Sequence, residues 1–532
     1  MALRGARGAA GLAVWLLLQA ASALAEDASA SAAPKALPKF DVYEFRVLGN
    51  TVLPARAVEA AVYPFLGPGK TLTDVEAARA TLEKAYHDRG YATVFVDIPP
   101  QEVVDNVVRL RVTEGRIERT RISGARYFSE GKILAALAQA KPGEIPNIPV
   151  LQSEVAALNA QTSDRTVVPV LKAGSVPGTM DLDLKVTDHL PLHASVELNN
   201  EASADTPPLR ASVSASYSDL FAQLDNLAFQ YQDSPQNIDK VKVIAANYTF
   251  HPLWGGWQPS ILYIDTSSNV SAIGTLGVLG KGQIYGTRFT YTMASTQPFS
   301  ELLTLGLDYK HFGDLVNVNA TTALDTPVYY FNASVAYLAS WRSMLGQDTL
   351  SVSANFGPRG LASNSALEFE DKRYEGRGNY FYVRADDTWI RDLPWGFQGV
   401  LRAGGQYTAE PLISNEDYSI AGIDGVRGYL ESEELGDSAL KGTVQLRSPL
   451  LGHWGNARLA DLYVFYDAGV AVELDSLPGE PAHVVLRSWG SGVDLLPGAP
   501  VTGFVLVAHP MAEGIETRAG TWRILFSIRG MF

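Results

Sequence analysis

The chain of 532 residues contains no cysteine. That excludes disulfides, thiolate metal sites and cysteine nucleophiles, and it suits an oxidising compartment where a stray thiol is a liability. Basic residues are in the minority: 43 Lys and Arg face 57 Asp and Glu, a net charge of −14. A nucleic-acid binder would show a basic patch or excess, so no nucleic-acid partner is expected. Beyond the N-terminal region no run of about eighteen apolar residues occurs, so no spanning helix is expected in the mature chain. Catalytic signatures are missing too. There is no G-x-S-x-G. GPGKT at 67–71 ends like a phosphate loop, but Pro64 stands where its first glycine belongs, so it reads as a turn. His189 and His193 in HLPLH flank a proline instead of sharing a helical face. No catalytic residue, metal, cofactor or enzymatic activity is expected.

What is present begins with an address. Arg4 and Arg7 precede the apolar GAAGLAVWLLLQAA, and ALA ending at Ala25 is a small-x-small cleavage pattern. This reads as a signal peptide over 1–25, because the apolar core is too short for a membrane anchor. An Ala/Ser/Pro tether follows over 26–39.

Residues 40–188 alternate helix and strand signals. LTDVEAARATLEKAYHDRGY is the clearest helix: Val75, Ala78, Leu82 and Tyr86 recur at helical spacing. Thr73 and Glu76 read as its capping box, and Gly90 as its C-terminal stop. LRVTE at 110–114 returns as LKVTD at 184–188, and RVLG at 46–49 returns as RISG at 121–124. Two echoes at nearly one period predict a duplicated β-α-α-β-β module, with boundaries at 40–115 and 116–188. Each module offers a small sheet with an open edge.

From about Leu190 helical periodicity gives way to period two. In LLTLGLDYK, Leu303, Leu305, Leu307 and Tyr309 share one face. In ALKGTVQLRS, Leu440, Val444 and Leu446 oppose Lys441, Thr443, Gln445 and Arg447. The apolar face often ends in an aromatic, and the other face carries charge and amide. A soluble sandwich would also alternate, but aromatic ends, a wet inner face and a long run of strands favour a membrane barrel over 189–532. About sixteen antiparallel strands are expected, closed so that every backbone group is paired around an aqueous channel. The last segment, TWRILFSIRGMF, alternates to a terminal Phe532, placing the final strand where it can close against the first.

Two short stretches in this region stand apart. GIDGVRGYLESEELGDS places Arg427 on a glycine-rich loop, with Glu431, Glu433 and Glu434 beside it reading as a solvated acidic run. In LADLYVFYDAGVAV, Leu462, Val464 and Tyr466 are expected toward lipid, and Tyr463, Phe465, Asp467 and Gly469 inward. A carboxylate at membrane depth is costly unless it faces the lumen and finds a partner. An arginine on a long loop folded into the lumen supplies one, with an attraction on the order of 4 kcal/mol at about 4 Å before desolvation.

These stretches resemble the two signature motifs of the POTRA-plus-barrel transporter superfamily, V-R-G-Y/F and F-x-D-x-G. Val426, Arg427, Gly428 and Tyr429 match the first; Phe465, Asp467 and Gly469 match the second. The resemblance implies that the first is a loop tip reaching into the barrel and that Asp467 on the wall meets Arg427. Two repeats before a barrel resemble the two-partner secretion transporters, or haemolysin secretion/activation proteins. The implied function is an outer-membrane pore that captures an unfolded exoprotein through periplasmic POTRA domains and exports it. The partners implied are that exoprotein, outer-membrane lipids, and, during biogenesis, periplasmic chaperones and the barrel-assembly machinery, which reads a terminal aromatic such as Phe532. The expected capture edge is RTVVPVLKAG in the second repeat, with Val167, Val168 and Val170. A barrel-assembly insertase or lipid-transfer protein is the alternative, and a passive porin the next. Many family members thread an N-terminal helix through the pore on a long linker; Glu26–Lys39 is too short for both, so the arginine loop is expected to carry more of the plugging.

Overall fold

The computed structural model describes residues 38–532 except 268–269, 274–275, 297, 314, 320–321, 326, 359–360, 362–363, 455–456 and 480. The signal peptide and nearly all of the tether expected over 1–39 lie outside the described residues.

In the first repeat the central strand Val107–Glu114 runs parallel to Glu44–Leu48 and antiparallel to Val94–Asp97. Helices Ala55–Val62 and Leu72–His87 bury Val58, Ala61, Val62, Val75, Leu82 and Tyr86 in one core with Val94, Val96, Val108, Leu110 and Val112 of the sheet. The helical spacing read from the sequence is therefore the buried stripe. The capping box is not at Thr73 and Glu76. Thr71 caps the helix, and Asp74 accepts its backbone N–H at 2.8 Å. An Asp three residues after the cap reaches back as a Glu would, and the chain turns helical two residues sooner. Phe40–Val42 and Gly67–Lys70 form an extra two-stranded pair. The second repeat has the same order: Arg116–Ser123, helices Glu130–Ala135 and Ile148–Asn159, then Arg165–Ala173 and Thr179–Asp188, with Thr179–Asp188 central.

The two sequence echoes meet in space. Gly49 of RVLG and Gly124 of RISG both have φ of +90°, and a Cβ on either would lie 2.3 Å from a carbonyl oxygen: that of Val112 in LRVTE and that of Val186 in LKVTD. Only glycine allows both the left-handed turn and that approach. The acid that ends each echo clamps the turn beyond. Glu114 accepts the N–H groups of Thr51 and Val52 at 2.6 and 3.1 Å. Asp188 accepts those of Arg126, Tyr127 and Phe128 at 2.9, 2.8 and 3.2 Å.

Among the described residues, sixteen antiparallel strands close a barrel that begins with Leu192–Asn199 and ends with Arg523–Met531. The short strand Leu451–Trp454 only lengthens one hairpin, since Ser438–Arg447 pairs directly with Ala457–Val472. First and last strands pair from Ser195 with Met531 to Asn199 with Ser527. Phe532 then exchanges two backbone bonds with Ala194, at 2.8 and 3.1 Å.

The alternation resolves into an outer and an inner face. Leu305, Leu307, Val335, Leu440, Val444, Leu446, Leu462, Val464 and Tyr466 are exposed on the outside, whereas Asp308, Asn332, Gln406, Gln445 and Asp467 are buried inside. Tyr263, Tyr285, Tyr309 and Phe331 form a chain of ring contacts across four adjacent strands, at 5.1, 6.4 and 5.2 Å between centroids. Phe299 and Trp341, paired across the same two strands as Tyr309 and Phe331, mark the opposite rim. The ten steps from Tyr309 to Phe299 span about 34 Å of strand, or about 26 Å of height at the usual tilt near 40°, matching the apolar band of an outer-membrane barrel.

Candidate functional site

Residues 409–437 connect Gln398–Thr408 to Ser438–Arg447 and fold back into the lumen. Ile420, Ala421, Val426 and Tyr429 of this loop are buried in one cluster with Ala439, Ala471 and Leu486 of the wall. Two glycines permit the approach. A Cβ on Gly469 would stand 3.0 Å from Ile420 Cβ and 3.2 Å from Val426 Cγ2. Gly428 has φ of +102° and lies against Ala508 and Pro510.

This packing sets Arg427 on the wall. Its Nε and Nη2 donate to Asp467 Oδ2 and Oδ1, both at 2.8 Å, and its backbone N–H donates to Oδ2 at 3.1 Å. Nη1 donates to Gln445 Oε1 at 3.0 Å. The guanidinium carbon stands 3.5 Å from the centre of the Phe465 ring. Asp467 is 0% exposed, so the site is drier than an open channel would leave it. Removing one partner of such a pair strands the other charge, at a cost of about 3–5 kcal/mol.

Each motif residue is thus placed. Val426 is core, Arg427 is the ion, Gly428 is the close approach, and Tyr429 donates its hydroxyl to the carbonyls of Arg487 and Ala512, at 3.1 and 2.8 Å. Phe465 supplies the ring, Asp467 the carboxylate and Gly469 the clearance. Two contributors escaped the sequence reading. Gln445 sits on the neighbouring strand, two rungs from the pairing of Thr443 with Asp467. Gly490 lies opposite Phe465, and a Cβ there would be 2.5 Å from the ring. Alternation had marked Gln445 as inward, but a lone amide or glycine in a strand carries no signal of its partner.

The acidic run beside the loop is not solvated. Glu433 and Glu434 are buried. Glu433 Oε1 accepts the N–H groups of Glu516 and Thr517 at 2.8 and 2.6 Å, and Glu434 accepts that of Ile515 at 3.0 Å. Glu431 accepts that of Ile423 at 2.7 Å. Backbone donors of a neighbouring loop, which a sequence does not reveal, take the place of water.

The expected capture strand Arg165–Ala173 is an edge strand. Val168 is exposed, Val167 is buried and Val170 is half-buried. The edge is partly filled, however. The Asn159 side chain accepts the Val167 N–H at 2.8 Å and donates to its carbonyl at 2.9 Å. The next residue turned the same way is Pro169, which has no N–H to offer. In the first repeat, Glu83 and Arg79 likewise occupy the N–H and C=O of Val96. Along Glu44–Leu48 the arrangement differs. Gln101 binds both backbone groups of Arg109, so its even-numbered neighbours face Glu44–Leu48, where Glu44 donates to Asn106. Alternation then turns the backbone groups of Phe45 and Val47 outward, to an edge that no other described strand covers.

A profile of the ShlB-type POTRA domain matches residues 40–115. The chain is 24% identical over 411 residues to the outer membrane transporter CdiB of Dickeya dadantii, covering 75% of this chain and 71% of that one. It is 18% identical over 478 residues to the heme/hemopexin transporter protein HuxB of Haemophilus influenzae, covering 85% and 80%. Its fold resembles that of CdiB from Escherichia coli, with a TM-score of 0.57 at 17% identity over 96% and 93% of the two chains. It also resembles BamA from Haemophilus ducreyi lacking POTRA domains 1-3, with a TM-score of 0.56 at 14% identity over 93% and 100%. The profile of the haemolysin secretion/activation protein ShlB/FhaC/HecB matches residues 178–495, more than half of the chain, and with the POTRA match, the closed barrel and the buried Arg427–Asp467 pair, the chain belongs to that family, as an outer-membrane transporter of the two-partner secretion type with its POTRA domains in the periplasm.

Proposed function

We propose that this transporter captures an unfolded exoprotein on an open POTRA sheet edge and passes it through the barrel as the Arg427 loop leaves the wall. Capture is by strand addition, in which backbone bonds give affinity with little demand on sequence. Glu44–Leu48 receives the chain first, because Phe45 and Val47 present free backbone groups. Val167, Val168 and Val170 form a second, weaker edge that becomes available when Asn159 releases Val167. Export needs no enzymatic step. Lipids of the outer membrane surround the exposed apolar belt, and chaperones and the barrel-assembly machinery act on the chain during biogenesis, with Phe532 as the signal read.

The observation that carries this reading is the Arg427–Asp467 pair, which holds a long loop inside the lumen where an exported chain must pass. The experiment is secretion of the cognate exoprotein by Arg427→Ala, with barrel insertion checked by heat-modifiable migration. Loss of secretion from an inserted barrel supports the proposal, and normal secretion overturns the loop's role.

One observation favours the insertase reading. First and last strands pair over five residues, Ser195–Asn199 against Ser527–Met531, extended by backbone bonds of Ala194 with Phe532 and of Asn200 with Phe526, while Gly282–Thr296 and Phe299–Phe312 pair over fourteen. A short seam is a place where a nascent strand can enter. Rescue of a barrel-assembly defect by this chain, with no exoprotein present, would establish that reading.

A further inference from the structure

The inner face of the wall is mostly polar, yet a second apolar cluster, apart from the one around Val426 and Tyr429, forms within the lumen among the described residues. Ile264, Ile284, Phe312, Tyr330 and Tyr382 point inward from five wall strands, and all are buried. Their partners come from two loops. Leu412 and Ile413 belong to the base of the arginine loop. Phe369 belongs to the short helix Ala366–Lys372 and is 0% exposed. Its ring meets Tyr330 edge-on at 5.4 Å and Tyr380 at 6.3 Å. Carboxylates tie these pieces together. Glu416 accepts from Lys310 at 2.5 Å, from the Tyr382 hydroxyl at 2.7 Å and from the Tyr330 hydroxyl, fixing the loop base to three strands. Asp437 is 0% exposed and joins three loops. It accepts the Leu412 N–H at 2.5 Å, the Leu474 N–H at 2.7 Å and Arg373 Nη2 at 2.8 Å. The same Nη2 donates to the Leu474 carbonyl at 2.8 Å, and Nη1 lies 3.1 Å from Glu473.

None of this belongs to the Arg427 site. The cluster lines strands between 242 and 392, whereas Arg427 and Tyr429 are held by residues between 445 and 512. The arginine loop is therefore strung across the lumen and pinned at both ends.

We infer that Phe369 and the Arg373–Asp437 pair form a second closure of the pore, a cork on the extracellular side that seals the resting barrel independently of the Arg427–Asp467 pair. The side follows from the topology. The chain enters the barrel from the periplasmic repeats at Leu192, so the connections at 357–380, 409–437 and 473–482 all fall at the far end. Apolar side chains packed across a water-filled passage exclude water and ions. Asp437 helps keep Phe369 there, because its carboxylate binds the helix-bearing segment to the two loops beside it, while Glu368 and Asn364 bond the same segment to the backbone of Tyr329 and Phe331 on the wall. This deepens the export reading by assigning the resting seal, but its readout is ion leak without cargo, so its failure and that of cargo capture are separable.

The test is conductance of the purified full-length chain in planar bilayers, with no exoprotein present, for wild type, Arg373→Ala, Phe369→Ala and Arg427→Ala. Because an Arg373 variant strands a buried carboxylate and can fail to fold, folding is checked by heat-modifiable migration, and Phe369→Ala provides a variant that leaves every ion pair intact. The expected result is a rise of at least about tenfold in time-averaged conductance for Phe369→Ala and for folded Arg373→Ala. Entry of a large antibiotic into cells expressing these variants should rise in parallel. Wild-type conductance in Phe369→Ala overturns the inference, as does a rise in Arg427→Ala alone, which would make the deeper pair the sole seal.

Discussion

Arg427 and Phe465 are stacked within 3.5 Å while two nitrogens of the same guanidinium reach Asp467 at 2.8 Å each. The cation is thus read in three ways at once: by charge, by the paired geometry of its donors, and by its planar face.

That triple reading makes lysine a poor substitute. An ammonium is a point charge that cannot bond both carboxylate oxygens and lie against a ring in the same way. Arg427→Lys should insert normally but secrete several-fold less exoprotein than wild type, while Arg427→Ala should secrete least. Quantitative immunoblotting of culture supernatant against inserted barrel distinguishes them, and equal secretion by Lys and Arg would show that charge alone matters.

Gly490 predicts an effect away from either motif. A Cβ there would stand 2.1 Å from the Val507 carbonyl oxygen and 2.5 Å from the Phe465 ring. Gly490→Val must therefore shift the neighbouring strand at Val507 as well as push the ring off the guanidinium, at a cost of about 1–3 kcal/mol. The expected outcome is a barrel that unfolds at lower temperature and secretes less, whereas a similar substitution at Gly503, opposite Ile528, leaves Phe465 untouched. Equal secretion defects at both positions would remove the ring from the account.

The sheet edge predicts a separation of binding from folding. Val47→Pro deletes one outward N–H on an edge strand, where proline is tolerated. Affinity for an exoprotein N-terminal segment should fall without loss of the repeats' secondary structure. Asn159→Ala should do the reverse by uncovering Val167. Surface plasmon resonance on the full chain in detergent checks both, and unchanged affinity in each would exclude capture at these strands.

The second repeat carries a pH prediction. Hydroxyl donors from Ser175 and Thr179, with the Val176 and Ser175 N–H groups, hold the Glu118 carboxyl down to about 2 from its ordinary 4.5. A carboxylate with a depressed pKa contributes stability that is full above its unfolded value and is lost as pH falls through its folded value. Protection of the Ser175 and Val176 amides, after correction for intrinsic exchange, should therefore decline between about pH 4.5 and pH 2 and be low throughout in Glu118→Gln. A flat profile in the wild-type chain would contradict the clamp.

Much of this architecture was legible because it is periodic. The helix stripe Val75, Ala78, Leu82 and Tyr86 and the outward set Leu440, Val444 and Leu446 follow from geometry that repeats along the chain. The echo of RVLG and LRVTE is legible as text, but its cause, a glycine crossing a carbonyl, exists only in the folded chain. What stayed hidden was local and long-range at once. Glu433 and Glu434 read as solvated because their backbone donors lie some eighty residues away in sequence. The Thr71–Asp74 box was displaced by a rival Thr two residues on. The edge at Val167 looked open because one asparagine amide, Asn159, imitates a strand. Phe369 gave no sign of entering a lumen, because a single aromatic on a short helix has no period to betray its destination.

The central claim, that cargo passes through the barrel interior beside the Arg427 loop, is tested most directly by site-specific photo-crosslinking to a stalled exoprotein. Thr443 faces inward on the strand opposite Asp467, and its neighbour Val444 faces lipid. A photoreactive residue at Thr443 is predicted to capture the stalled chain, and one at Val444 is not. Capture from Val444 but not Thr443, or from neither while secretion proceeds, would contradict the account.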